Sequence, residues 1–150
     1  MKRAQDPAFL ELIANNPRVF KNVTCKGVDR IELSSIWNNC VGLEFDTGGF
    51  LFHRHDPGVY EVHTLFLPKS KNVQVYAAMA ANFIFNLDAE LLLTQVARDL
   101  PHVRRLALSQ GFTKFDEGFL QRDSGDIVTD YYELSKESWK EMVKCQSPPQ

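Results

Sequence analysis

Three stretches decide the fold: Tyr60-Glu-Val-His-Thr-Leu-Phe-Leu67, then Pro68-Lys-Ser-Lys-Asn-Val-Gln-Val-Tyr76, and further on Leu106-Ala-Leu-Ser-Gln-Gly-Phe112. The first is apolar and β-prone throughout, which predicts a strand in the middle of a sheet. The second is a loop rich in lysine and asparagine that leads into a helix. It contains no glycine. After it, Val75, Tyr76, Met79, Ala80, Phe83 and Ile84 recur at helical spacing and predict one buried helical face. Residues 90–96 read as a second central strand. Asp99-Leu100-Pro101 opens another helix, with Asp99 as the cap, Val103, Leu106 and Ala107 facing inward, and Gly111 as the residue that closes it. The order is strand, loop, helix, strand, helix.

Outside this run, Asp6-Pro7 predicts a helix start, and Asn15-Asn16-Pro17 ends that helix, because a residue before proline avoids the helical region. Residues 31–37 fit no single element. Val41-Gly-Leu-Glu-Phe45 alternates, Gly48-Gly49 turns, and Phe50-Leu-Phe-His-Arg-His55 returns, which predicts a hairpin. Asp56-Pro57-Gly58 is a second turn. Residues 112–119 read as a loop with Phe112, Phe115 and Phe119 among acidic residues, a set that with Tyr131 and Tyr132 could mark a protein-binding patch. Residues 126–134 alternate as a final strand. Hairpins followed by β–α–β–α–β make an α/β fold: a mixed, mostly antiparallel sheet flanked by helices. The expected organisation is one domain over residues 1–144 with a loose tail over 145–150.

Bulk composition narrows the function classes. With 150 residues, 44% hydrophobic and 24% charged, the chain suits one globular domain. The net charge is −2 and no run of like charges occurs, so neither a dedicated nucleic-acid surface nor a membrane partner is expected. Cys25, Cys40 and Cys145 are odd in number and widely spaced, which predicts buried or free thiols. His53, His55 and His63 raise the question of a metal, but no cysteine or second carboxylate completes a ligand spacing, and none is expected.

The order of elements, the position of the loop and the Gly111-Phe112 ending resemble the core of the GNAT N-acetyltransferases over residues 25–135. In that family a glycine-rich loop lets backbone N–H groups meet the pyrophosphate of acetyl-CoA. The resemblance places the corresponding loop at Lys71, Asn72, Val73, Gln74, Val75 and Tyr76, with Asn72 and Gln74 at glycine positions. It also implies a tyrosine general acid at the position of Ala107 and a cofactor-holding asparagine at that of Leu100. Neither side chain here can do that work. Glu61 is the surviving candidate for a general base, and His63 lies two residues on, on the same strand face.

A further resemblance rests on Pro57-Gly-Val-Tyr-Glu-Val-His-Thr-Leu-Phe-Leu-Pro68, Asn15-Asn-Pro-Arg-Val-Phe20 and Gly48-Gly-Phe-Leu-Phe52. These look like motifs of GNAT-like proteins encoded by tailed bacteriophages. The glycine-poor form is similar to head-assembly proteins of short-tailed enterobacterial phages. That resemblance implies a non-catalytic protein without a cofactor, working in head or virion assembly. Its partners would be structural or ejected phage proteins, and its place the host cytoplasm during assembly, with the virion as a second location. The alternative it leaves open is an active acetyl-CoA-dependent N-acetyltransferase with a remodelled cofactor loop and Glu61 as base.

Overall fold

The computed structural model describes residues 1–146. The chain runs β1 (Lys2–Arg3), α1 (Ala8–Ala14), α2 (Pro17–Val23), a 3-10 turn (Trp37–Asn39), β2 (Cys40–Phe45), β3 (Gly48–Asp56) and β4 (Val59–Phe66). It continues with α3 (Val73–Leu87), β5 (Leu91–Ala97), α4 (Pro101–Ser109), β6 (Thr113–Arg122), β7 (Gly125–Ser135) and α5 (Lys136–Gln146). The seven strands form one sheet in the order β1-β2-β3-β4-β5-β7-β6. Every pairing is antiparallel except β4 with β5.

The sheet is covered on both faces, and β3 shows why its sequence is a solid apolar run. Phe50 and Phe52 join a core with Phe45, Tyr60, Ile84, Phe85 and Leu92, while Leu51 points the other way into a cluster with Leu10, Ile13, Leu33 and Leu65. Gly49 is required by this packing. A Cβ there would lie 2.1 Å from the carbonyl oxygen of Leu43. The expected hairpin from 41 to 55 forms as β2 and β3, in register from Cys40↔His53 to Phe45↔Gly48, but it turns at Asp46-Thr47, and Gly48 and Gly49, expected to turn, begin β3.

Several elements differ from the sequence expectation, each for a physical reason. Asn15-Asn16-Pro17 does end α1, but Asn16 also caps α2, accepting a 3.0 Å hydrogen bond from Arg18 N with Pro17 in the first turn. The irregular segment 24–39 is held to α1 by side chains: Asn15 accepts from Ile31 N at 2.9 Å, and Glu11 from Leu33 N at 2.8 Å. The buried face of α3 is Ala77, Ala80, Ala81, Ile84 and Phe85, whereas the expected Val75 and Met79 are 57% and 41% exposed. Ala80 and Ile84 were expected on this face and Ala77, Ala81 and Phe85 were not; the small alanines let the helix sit close to the sheet.

Asp99 does not cap α4. The N-cap residue is Leu100, without a side-chain hydrogen bond, and the Asp99 carboxylate pairs with Arg122 instead. Gly111 does close that helix, at φ 91°, a backbone angle that suits glycine. The expected loop 112–119 is mostly β6, an edge strand with a bulge between Lys114 and Asp116. Its first five residues are exposed on both faces and only Gly118, Leu120 and Arg122 are partly buried, so its first half shows no alternation to read. Of the three phenylalanines there, Phe112 is buried, while Phe115 and Phe119 are 51% and 75% exposed. The helix α5 was not expected. Its Trp139 is buried and stacks on Phe85 with ring centroids 5.0 Å apart. Because α5 includes Cys145 and Gln146, those two residues are helical and not part of a tail; the remainder of the expected tail, 147–150, lies outside the described residues. All three cysteines are free. No described helix is long and apolar enough to cross a membrane.

Candidate functional site

The parallel pair β4–β5 holds together only at its start. Val59, Tyr60 and Glu61 face Leu91, Leu92 and Leu93, and no pairing continues beyond them. One side chain ties the divergence: Thr94 Oγ1 donates to the carbonyl oxygen of Val62 at 3.1 Å. Past that point the strands part and leave a cleft of about 870 Å³. Its walls come from the β4–α3 loop, from α2 and from α4. Arg18 and Asn22 contribute from α2, and His102 and Arg105 from α4. The sequence reading missed these four residues. The Asn16-Pro17 start of α2 was the only local sign that a helix would reach this place.

The loop keeps a glycine-like backbone without glycine. Lys69 and Asn72 both have φ 65°, in the left-handed region. Asparagine tolerates this conformation better than most residues, while lysine does so at some strain. Ser70 pins the turn: its Oγ donates to Leu67 O at 2.6 Å and accepts from Thr47 Oγ1 at 2.7 Å. Asn72 is the N-cap residue of α3 and makes no side-chain capping bond. The first helical acceptor is Asn72 O, taken by Tyr76 N at 2.9 Å. The N–H groups of Val73, Gln74 and Val75 therefore have no acceptor within the helix.

Of the loop residues the resemblance singled out, Val73 and Gln74 line the cleft, joined by Lys69 and Ser70. Lys71, Asn72, Val75 and Tyr76 do not. Tyr76 turns into the core and stacks on Phe45, with centroids 4.2 Å apart. Gln110, which follows α4, donates from Nε2 to Gln74 O at 3.3 Å and ties the end of α4 to α3.

Glu61 and His63 share a strand face as expected, and the structure brings them into contact. His63 Nε2 lies 3.0 Å from Glu61 Oε1. His55, named in the sequence only for the metal question, approaches the other oxygen, with Nε2 3.2 Å from Oε2. The register of β3 on β4 shifts between Arg54 and Asp56 at this point, and bulges of this kind re-aim side chains. The hydrogen bond from His63, aided by His55, pulls the Glu61 carboxyl down to about 2 against the opposing effect of burial. His53 completes the group, its ring 4.7 Å from that of His55. Burial lowers its pKa, as do the neighbouring imidazoles, and Glu61 opposes them. Among the described residues no three His, Cys, Asp or Glu side chains are arranged to hold a metal ion.

The two remaining positions marked by the resemblance are apolar in three dimensions as well. Ala107 is buried in the core beneath α4. Leu100 lines the cleft and offers it no hydrogen bond. Chemically, the site offers free backbone donors, exposed cations and a carboxylate already engaged by two imidazoles. At the two places where a proton donor or an amide would sit, it offers nothing polar.

No protein-family model matches the chain, and neither does any curated protein. Solved structures do. A spermidine N-acetyltransferase from Vibrio cholerae, in complex with CoA and spermine, superposes with a TM-score of 0.74 at 12% identity, covering 93% of this chain and 97% of that one. A probable GNAT-family acetyltransferase from Chromobacterium violaceum gives 0.66 at 11% identity, covering 91% and 80%. With the strand order, the splayed parallel pair and these superpositions together, the chain has the GNAT acyltransferase fold.

Proposed function

We propose that this chain is a non-catalytic protein on a GNAT scaffold that serves the assembly of infectious phage particles through protein contacts. The observation that carries the non-catalytic part is the loss of proton handling. Ala107 stands in the apolar core where the fold's general acid would stand. Glu61, the remaining candidate base, is held at about 2 by His63 and His55. A carboxylate that acidic is a poor proton acceptor near neutral pH. The assembly part is supported by the sequence resemblance of residues 57–68, 15–20 and 48–52 to phage proteins. Structural or ejected phage proteins are then the partners. The host cytoplasm is the working location, and the virion a second one.

One observation favours the second reading, an acetyl-CoA-dependent N-acetyltransferase. The cleft is open, and the uncapped N–H groups of Val73, Gln74 and Val75 stand at the head of α3 with Lys69 and Ser70 on the cleft wall. A pyrophosphate fits such a set of donors. The left-handed backbone at Lys69 and Asn72 does what glycine does elsewhere. When bound, acetyl-CoA would supply the acetyl thioester. At Ala107, where the resemblance puts the donor for its departing sulfur, the side chain carries no proton to give.

Calorimetric titration with CoA and acetyl-CoA, followed by an amine-dependent acetyl-transfer assay, separates the readings. The non-catalytic reading expects no transfer to any amine. Transfer that depends on Glu61 would overturn it.

A further inference from the structure

The cleft wall has a property that neither reading uses. Strand residues alternate in the direction of their backbone groups, and Val62 O points at β5, where Thr94 takes it. By the same alternation the N–H and C=O groups of Thr64 and Phe66 also point into the cleft. Pairing with β5 ended at Glu61, so these groups have no strand partner on that side. On its other side β4 is paired with β3 as far as Gly48↔Phe66. Half of β4 is thus a sheet edge in the middle of the sheet, with room beside it.

The electrostatics of that room are one-sided. Arg18, Lys69, His102 and Arg105 line it. None of the four has a carboxylate partner among the described residues. Glu61 is the one acidic residue among the lining residues, and His55 and His63 already hold it. A sheet edge with free hydrogen-bonding groups binds extended chain, and unpaired cations on its rim select acidic side chains.

The geometry points to the β4–β5 cleft as a docking groove for an extended, acidic segment of a partner protein, added to β4 as an extra strand. This deepens the non-catalytic reading and rests on it. Main-chain bonds to Thr64 and Phe66 hold the segment, and its carboxylates meet Arg18 and Lys69 on one rim and Arg105 on the other.

The test uses the full chain and a short synthetic peptide alternating aspartate and threonine, with a lysine–threonine peptide as control. The expected result is binding of the acidic peptide alone, with slowed hydrogen exchange at the amides of Thr64 and Phe66. Arg18→Glu combined with Lys69→Glu should weaken binding by about tenfold or more. Both side chains are exposed, and thermal unfolding checks that the variant folds. Equal binding of the two peptides, unchanged exchange at Thr64 and Phe66, or preferential binding of a single-stranded oligonucleotide would each overturn the proposal. The same double variant should lower the yield of infectious particles when it replaces the parent chain. If the yield holds, the groove is not the docking site and the non-catalytic reading stands. If the parent chain transfers acetyl groups, that reading itself falls.

Discussion

Replacing Glu61 with Gln separates a structural carboxylate from a working base. The side chain accepts from His63 at 3.0 Å and from His55 at 3.2 Å. Its pKa falls from 4.5 to about 2. At face value such a shift is worth about 3 kcal/mol. The side chain is 34% exposed, so water screens the pairs, and about 1–2 kcal/mol is the expected cost of Glu61→Gln. The sign follows from the direction. A carboxyl acidified by folding contributes its stability in full above its ordinary value of 4.5 and loses it as pH falls toward about 2. Urea unfolding of the parent chain and the variant should therefore differ most above about pH 5, and the gap should shrink to roughly half or less by about pH 3. A gap that stays constant across this window would refute the paired-carboxylate argument. The same variant should leave the yield of infectious particles nearly unchanged. A large loss of particles with folding intact would make Glu61 a reacting group and refute the non-catalytic reading.

Three more outcomes test the architecture. Phe85→Ala removes a fully buried ring stacked on Trp139 and should cost about 3–5 kcal/mol in urea unfolding, whereas a cost under about 1 kcal/mol would mean that α5 does not pack as described. Gly49→Ala forces a Cβ to within 2.1 Å of Leu43 O, so circular dichroism should show a protein that unfolds at markedly lower temperature or does not fold. Asn72→Val places a β-branched residue at φ 65° and should destabilise by about 1–2 kcal/mol, whereas Asn72→Gly should not; equal behaviour of the two would argue against the left-handed turn.

The sequence by itself determined the strand–loop–helix–strand–helix order from β4 to α4, the β2–β3 hairpin, the C-terminal ends of α1 and α4, and a β4–α3 loop empty of glycine. These are local facts. Turn residues, caps and apolar runs act within a few positions of one another, and they are written where they act. It also placed Glu61 and His63 on one face, because a strand alternates with period two.

What only the tertiary structure decided depends on groups distant in the chain. The loop looked ruined for want of glycine, yet Lys69 and Asn72 take the left-handed backbone that glycine would take, held by the bonds of Ser70 to Leu67 and Thr47. Tyr76 was expected both on the buried face of α3 and in the cofactor loop, and it packs on Phe45, because the helix turn directs it to the sheet. His55 reaches Glu61 because β3 pairs with β4 through His53↔Glu61, which brings the next residue on that face alongside, at a register shift. The first half of strand β6 was illegible, since an edge segment exposed on both faces needs no alternation; its partner β7 specifies it through backbone pairing that side chains do not record. The cleft is the clearest case. No residue encodes it: it exists because β4 and β5, strands separated in the chain by α3, pair for three residues and then part.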